Sequence, residues 1–221
     1  MLRAVGLTKR HISKQMLPLT FAQLKQMAVI LDAQGTFGLV IRCALLFGFD
    51  AFLRGSNICP ESDAQFDKTR NFTRSDVVIS PTHVNISIKW QKNMQTSLQP
   101  TVVQLPAHCD PLLDPVFTYQ LMCALVPSHK DRPLFILPDG STLTIYKLRQ
   151  QFAILCSKIG LDPQLYSIHS LRIGGASHAH HKGAKPIDIK RHGGWQSDTF
   201  WQYIAPILGQ QSTVCDALTS L

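Results

Sequence analysis

Residues that could bind and attack an anion are concentrated in the last third of the chain. His169 and Arg172 are three residues apart, so on a helix they lie on one face and can bind the same anion. The guanidinium of an arginine presents a planar fork of donors that fits two phosphate oxygens. Trp195 follows two glycines, and Tyr203 adds a phenol hydroxyl further along. Together these side chains supply anion donors and a phenol.

Two cations earlier in the sequence extend this set. Arg54 ends an apolar run of helical character, and Lys92 falls in the expected turn of a hairpin, where it could serve as a mobile acid. Lys89 is only three residues away. Because a lysine near a hairpin is usually only solvated, a surface role stays open for Lys92.

Hydrophobic periodicity predicts the elements that must position these residues. Apolar spacing predicts a helix from Thr20 and a more buried helix over 37–52. Alternating apolar residues then predict three short strands at 76–80, 83–90 and 101–105. The pattern as a whole indicates a mainly helical α+β fold with a small antiparallel sheet. Further helices are predicted over 113–125 and 144–159. Ser167 can cap another that runs through Arg172 toward Lys182, and a short helix is predicted from Pro186 to the glycines at 193–194.

Composition limits the class of protein. The chain has 221 residues, of which 45% are hydrophobic and only 16% charged, and this excludes a disordered chain. The formal net charge of +8 favours a polyanion or an anionic surface as partner. The apolar run 36–53 contains Arg42 and Asp50 and is too polar and too short for a membrane span, so it predicts a buried helix. Because the N-terminal residues lack the pattern of a signal peptide, we expect an intracellular protein.

Neither the cysteines nor the histidines predict a metal site. None of the six cysteines forms a CxxC pair, and most lie in apolar stretches, as buried thiols do. His178, His180 and His181 lack a nearby carboxylate in a zinc pattern, so an exposed helix end is the favoured interpretation.

Five segments, in this order along the chain, resemble the boxes of the catalytic domain of tyrosine recombinases, the phage-integrase family. They are FDAFLRGSNI around Arg54, WQKNMQ around Lys92, HSLRIGGA from His169, HGGWQSD around Trp195, and the position of Tyr203. The resemblance covers residues 18–206. It implies the fold of that catalytic domain over 20–206, between a basic lead-in at 1–19 and a tail at 207–221. The sequences of these segments are most like those of recombinases from eukaryotic mobile elements. This implies the nucleus in a eukaryotic host and otherwise the cytoplasm.

The resemblance also implies an activity, the breakage and rejoining of DNA strands in recombination or integration. Tyr203 would attack a DNA phosphodiester and form a 3′-phosphotyrosine, while Lys92 protonates the 5′-oxygen leaving group. Arg54 and Arg172 would neutralise the nonbridging oxygens, and His169 would accept a proton or bind the phosphate. No metal, ATP or other cofactor is implied.

Three further residues complete or depart from the family pattern. Trp195 stands where histidine is commoner and would hold the site together through its indole N–H and its bulk. Asn57 replaces the acidic residue that commonly orients the first arginine. His192 would support the site or face the DNA. Tyr203 lies eight residues after Trp195, one fewer than is common in the family.

The implied partner is double-stranded DNA, on which recombinases of this family normally assemble as four protomers. Two alternatives stay open: a type IB topoisomerase-like activity that relaxes supercoils, and a DNA-binding protein derived from a mobile element that does not cut. Family members usually clamp DNA with a separate N-terminal helical domain, whereas only residues 1–19 precede the first predicted helix. We therefore expect a truncated copy or a fragment that cleaves weakly and binds DNA with poor specificity.

Overall fold

The computed structural model describes residues 16–89, 101–197, 200–201 and 204. The described part is mainly helical with one three-stranded antiparallel sheet, which confirms the expected α+β class. Two short 3₁₀ helices, Asp63–Gln65 and Arg74–Asp76, precede the sheet. The elements in chain order are α1 (Phe21–Asp32), α2 (Gly35–Asp50), α3 (Gly55–Ile58), β1 (Val77–Ile79), β2 (His83–Ile88), β3 (Thr101–Pro106), α4 (Pro115–Leu125), α5 (Ile145–Lys158), α6 (His169–His181) and α7 (Pro186–His192).

Local side-chain caps explain where several helices begin. Thr20 and Gln23 form a reciprocal capping box at the start of α1, as the position of Thr20 predicts. Helix α4 begins two residues later than predicted, because the Asp114 carboxylate accepts the N–H groups of Val116 and Phe117 and so caps the helix there.

Helix α2 lies at the centre of the main hydrophobic core. Its residues from position 38 to position 49 are all buried, and it packs against α1, α4 and α6. The one charged side chain among them, Arg42, is 3% exposed and forms an ion pair with Asp32 at 2.7 Å. The apolar run is thus a buried helix, as predicted. No helix in the described ranges is long and apolar enough to cross a membrane.

The sheet has the strand order β1-β2-β3, with both pairs antiparallel. Strand β2 alternates between buried and half-buried residues, and its buried Ile86 lies opposite Val77 and Val103. The buried face of the sheet packs on α4. Lys92 belongs to the segment between β2 and β3 that is outside the described residues.

Helix α6 approaches its neighbours closely because two glycines face them. A Cβ at Gly174 would clash with the carbonyl oxygen of Leu19, and a Cβ at Gly175 would clash with that of Phe49. The helix begins at His169, two residues after Ser167, the predicted cap. The Oγ of Ser167 accepts the N–H of His169 at 3.2 Å.

A second, smaller hydrophobic cluster covers the outer end of α6 and α7. Three of the described residues beyond α7, Trp195, Phe200 and Ile204, belong to it. Tyr203, the lead-in at 1–15 and the tail at 207–221 lie outside the described residues. The cluster consists of Phe52, Ala176, Ile189, Trp195, Phe200 and Ile204.

Candidate active site

Arg172 is at the centre of the residues that the structure brings together. It lies in the first turn of α6 and is 2% exposed. Its Nη1 donates to the carbonyl oxygen of Phe52, and its Nη2 donates to the carbonyl oxygen of Gly193 at 2.9 Å. Its guanidinium carbon lies 4.0 Å from the centroid of the Trp195 ring. Segments carrying two other predicted boxes therefore hold this arginine in place.

Arg54 follows the turn at the end of α2. Phe52 lies two residues after the end of the helix and has a φ of 48°, in the left-handed region. Arg54 then stands at the N-terminal boundary of α3, where its carbonyl oxygen accepts the N–H of Asn57 at 2.9 Å. The Arg54 side chain is half-buried, and Asn57 is 4% exposed. The two residues predicted from the first box thus share one short helical turn.

His169 is the first residue of α6 and is half-buried. Burial lowers its pKa, and the positive charges of Arg172 and Arg54 lower it further. His169 is consequently neutral at pH 7 and can accept a proton. Both guanidinium groups are near enough to the imidazole to lower its pKa. The three predicted residues Arg54, His169 and Arg172 therefore lie close together.

Trp195 packs inside the smaller cluster and is 7% exposed. Its ring centroid lies 6.1 Å from that of Phe52 and 6.3 Å from that of Phe200. A Cβ at Gly193 would clash with the Trp195 ring. A glycine two residues before Trp195 is therefore required for the indole to pack back against the chain. The Gly-Gly-Trp spacing therefore has a packing reason as well as the predicted role.

His192 joins the end of α7 to the end of α2. Its Nε2 lies 2.8 Å from the carbonyl oxygen of Asp50. A carbonyl oxygen only accepts, so Nε2 carries the proton. The imidazole centroid is 4.6 Å from that of Phe52. Burial lowers the pKa of His192, against the opposing effect of the Asp50 hydrogen bond, so the ring is neutral at pH 7.

Lys89 directly follows strand β2, and its ammonium group binds two oxygen atoms. Its Nζ lies 2.7 Å from Oδ2 of Asp76 and donates to the carbonyl oxygen of Lys68 at 2.8 Å. Asp76 is 6% exposed and also accepts from the N–H and hydroxyl of Thr73. Lys89 is thus a structural cation. Both Lys92, the predicted acid, and Tyr203, the predicted nucleophile, lie outside the described residues.

Two residues that sequence reasoning did not assign border the site. Oδ2 of Asp50 is buried and has no hydrogen-bond partner among the described residues. Burial, and after it the charge of Asp114, raises the pKa of Asp50 to about 8. A lone carboxyl closing an apolar run was the available signal. Phe52 is the second such residue, and nothing in the sequence indicates a left-handed backbone at a phenylalanine.

Within the described ranges, no group of three or more His, Cys, Asp or Glu side chains could hold a metal ion. His180 and His181 are exposed, as predicted for a helix end. His178 is not: it is half-buried and stacks on Phe21 with ring centroids 4.7 Å apart, because the start of α1 packs across α6. Cys215 lies outside the described residues. The other cysteines are free thiols: Cys43, Cys59 and Cys156 are buried, Cys123 is half-buried and Cys109 is exposed.

Solved structures of recombinases resemble this chain. The XerH site-specific recombinase bound to difH substrate, in a pre-cleavage complex, matches with a TM-score of 0.64 and 17% identity over 99% of this chain and 58% of that chain. A lambda integrase dimer bound to a COC′ core site matches with a TM-score of 0.61 and 15% identity over 90% of this chain and 51% of that chain. The Tn1549 transposon integrase in complex with transposon right end DNA matches with a TM-score of 0.54 and 16% identity over 94% of this chain and 66% of that chain.

These matches define the fold as that of the catalytic domain of tyrosine recombinases, as predicted. No family model and no curated protein matches the sequence. The chain spans 58% of the XerH recombinase and 51% of the lambda integrase that it matches.

Proposed function

We propose that this chain breaks and rejoins DNA strands through a covalent link between Tyr203 and a DNA 3′-phosphate. The observation that carries the proposal is the setting of Arg172, a buried guanidinium held by two carbonyl oxygens and the Trp195 ring, beside His169 and Arg54. Positive charge gathered in this way suits a phosphodiester. The fold is shared with recombinases that were solved on DNA, which supports DNA as the substrate.

The two arginines would stabilise the transition state. Negative charge grows on the nonbridging oxygens as phosphorus becomes pentavalent. Arg54 is half-buried and would meet the phosphate, while the buried charge of Arg172 would add to the positive potential of the site in a medium of low dielectric. Fixed positive charge of this kind takes the part that a metal ion plays in other phosphoryl-transfer sites, so we propose a metal-independent reaction.

The proton transfers would use His169 and Lys92. The Tyr203 oxygen attacks phosphorus and its proton passes to the neutral His169, while Lys92 protonates the departing 5′-oxygen. The products are a 3′-phosphotyrosine and a free 5′-hydroxyl. Attack by another 5′-hydroxyl reverses these bond changes in a new strand and releases Tyr203. Because the protein–DNA linkage keeps the bond energy, no ATP is required.

The proposed partner is double-stranded DNA, with four protomers on the recombining sites. A net charge of +8 supports salt-sensitive binding to the DNA backbone. Lambda integrase has been solved as a dimer on a core site and as a tetramer on a Holliday junction. The amino-acid sequences of the Arg54 and Trp195 boxes support an origin in a eukaryotic mobile element. A protein of that origin would act in the nucleus.

Nicked suicide duplexes test the proposal. A pool with randomised sequence around the nick is incubated with the chain, and adducts that survive SDS are counted. We expect adducts from the wild type and from Tyr146→Phe, whose tyrosine is 64% exposed, but none from Tyr203→Phe. A wild type that forms no adduct contradicts the proposal, and DNA binding without an adduct then supports the non-catalytic alternative. Plasmid relaxation without strand exchange supports the topoisomerase-like alternative.

A further inference from the structure

We propose that Phe52 is a positioning residue of the anion site: its left-handed backbone directs its carbonyl oxygen at Arg172, and its ring fills the space between His192 and Trp195. The inference rests on the proposed function, because the site that Phe52 organises is the one assigned to the DNA phosphate.

The backbone of Phe52 is unusual for its residue type. Its φ of 48° makes it the one non-glycine residue with a positive φ in the described part of the chain. In this region the Cβ of an L-residue crowds the neighbouring backbone, so bulky residues seldom occupy it. A conformation of this kind persists only where the surroundings hold it. At Phe52 the neighbouring backbone does so, since the N–H of Leu53 donates to the carbonyl oxygen of Gly48 at 3.1 Å.

The left-handed turn determines what Arg172 can bind. The turn places the Phe52 carbonyl oxygen where Nη1 of Arg172 donates to it, and Arg54 begins the next element two residues later. A change of φ and ψ at Phe52 rotates this carbonyl away from the guanidinium. Because Arg172 is 2% exposed, water cannot readily replace the lost acceptor. The orientation of one peptide group thus connects Arg172 with Arg54, the arginine proposed to meet the phosphate.

The ring of Phe52 acts on the opposite side of the same turn. It is 5% exposed and belongs to the smaller cluster, not to the main core around α2. Its centroid lies 4.6 Å from that of His192 and 6.1 Å from that of Trp195. The ring therefore packs the end of α7 and the Trp195 segment against the residues that precede Arg54.

Helix α6 provides the space that this ring needs. Gly175 faces Phe52, and a Cβ at Gly175 would lie 2.8 Å from Cδ1 of the Phe52 ring. A glycine within a helix has a cost in conformational entropy, and here the close approach requires it. The same missing side chain also lets α6 approach the carbonyl oxygen of Phe49, so Gly175 admits both the backbone of α2 and the Phe52 ring.

Three variants separate the contribution of the backbone from that of the ring. Phe52→Gly removes the ring but permits the left-handed turn without steric cost. Phe52→Ala removes the ring and keeps a Cβ that disfavours the turn. Phe52→Leu retains bulk and takes the place of the alanine variant if that variant does not fold. The matched control is Phe49→Leu, which alters a ring that is 2% exposed and contacts Phe21 and His178 instead.

Two measurements on the full chain are needed. The first compares the rate of adduct formation on the nicked duplex pool at saturating DNA with the Kd for the same DNA. We expect Phe52→Gly to be about 10-fold slower and Phe52→Ala about 100-fold slower than the wild type, as for a misplaced reacting group. We expect a nearly unchanged Kd, since backbone binding depends mainly on the other cations. The second follows the side-chain N–H signals of Arg172 by ¹⁵N NMR, which we expect to be protected from exchange in the wild type and Phe52→Gly but not in Phe52→Ala.

The proposal would be overturned if Phe52→Gly and Phe52→Ala had the same adduct rate and the same protection of the Arg172 N–H groups from exchange. The left-handed turn would then have no effect separate from that of the ring. An equal loss of rate in Phe49→Leu would also overturn the proposal, since it would reduce Phe52 to ordinary core packing. If the wild type forms no adduct, the proposed function fails but the positioning role is still decided by NMR. In that case protection lost in Phe52→Ala and kept in Phe52→Gly supports it, and protection kept in both contradicts it.

Discussion

The guanidinium carbon of Arg172 lies 4.0 Å from the centroid of the Trp195 ring, in a place where both side chains are almost completely buried. A cation over an indole face is attracted by the ring quadrupole, and the attraction is strongest where water is excluded. The plane of the guanidinium is further restrained by hydrogen bonds to the carbonyl oxygens of Phe52 and Gly193. Trp195 therefore has a definite structural task beside any contact with DNA: it holds Arg172 in orientation.

Replacement of Arg172 by lysine tests this arrangement. An ammonium group keeps the charge but cannot donate to two carbonyls while stacking flat on an indole. We expect Arg172→Lys to lower the free energy of unfolding by about 2–3 kcal/mol and the adduct rate by about 100-fold. Urea unfolding and the nicked-duplex assay measure the two effects. Arg191→Lys is the control, because Arg191 is exposed and forms only a surface ion pair with Asp188. An Arg172→Lys variant with the stability and rate of the wild type contradicts the account.

The two neighbouring lysines should differ in kind. If Lys92 protonates the 5′-oxygen, Lys92→Ala should slow cleavage by about 100-fold or more on ordinary DNA. The defect should largely vanish on DNA with a bridging 5′-phosphorothioate, because a thiolate leaves without a proton. Lys89→Ala should instead reduce stability, since it leaves the carboxylate of Asp76 buried without its ion-pair partner. Its effect on cleavage should be the same for both substrates. Sulfur rescue of Lys89→Ala but not of Lys92→Ala would reverse the assignment.

Asp50 should make the protein less stable as the pH rises. Its pKa is about 8 in the folded protein and about 4 in an unfolded chain, so between these values only the folded state holds the proton. The stabilisation is fully present below about pH 4 and is lost as the pH rises through about 8, at up to ~1.4 kcal/mol per pH unit. Asp50→Asn has no such titration. The free energy of unfolding of Asp50→Asn minus that of the wild type should therefore increase from pH 5 to pH 8.

Urea unfolding of both proteins across this pH range provides the measurement. The half-buried histidines have lowered pKa values and change stability in the opposite direction, losing stabilisation as the pH falls below their unfolded value. They are common to both proteins and cancel in the difference. Parallel pH profiles for the wild type and Asp50→Asn would show that the Asp50 carboxyl does not retain its proton on folding.

The glycines of α6 should tolerate no side chain. A Cβ at Gly175 meets the carbonyl oxygen of Phe49, a backbone atom that cannot move alone. We expect Gly175→Ala to reduce the free energy of unfolding by about 2 kcal/mol or more. Gly48→Ala in α2 is the matched comparison, because the nearest atoms to its Cβ would be side-chain carbons of Ile58 and Leu171 and not a backbone oxygen. Gained helix propensity offsets that contact, so its stability should stay within about 1 kcal/mol of the wild type. Equal losses in the two variants would contradict the close approach of α6 to α2.

The secondary structure was largely predictable because its causes are local. The capping box at Thr20, the alternation along β2 and the left-handed Gly160 after α5 are all effects of residues near in sequence. The five segments that resemble the boxes of the family, and their order, are likewise visible in the sequence itself. Asp114 was missed as a cap, although an aspartate before a proline is a local signal of the same type.

The contacts that build the site depend on residues far apart in sequence. Phe52 and Arg172 meet across three strands and three helices of the chain, and no period or motif indicates that a phenylalanine adopts a left-handed turn there. The pKa of Asp50 likewise follows from burial that only the packed structure creates. The sequence motifs pointed to Arg54, His169, Arg172 and Trp195, and to Asn57 and His192 beside them, but the contacts that Phe52 and Asp50 make follow from tertiary packing.

The most direct test of the central claim is to locate the DNA on the protein. Trypsin cuts after Arg191 and finds no later lysine or arginine, so the C-terminal peptide 192–221 contains Tyr203 as its single tyrosine. Adducts from the nicked-duplex reaction are digested with nuclease and trypsin and sequenced by tandem mass spectrometry. The account predicts a nucleotide phosphate on Tyr203 of this peptide. A phosphate on Tyr119, Tyr146 or Tyr166, or on no tyrosine at all, would contradict it.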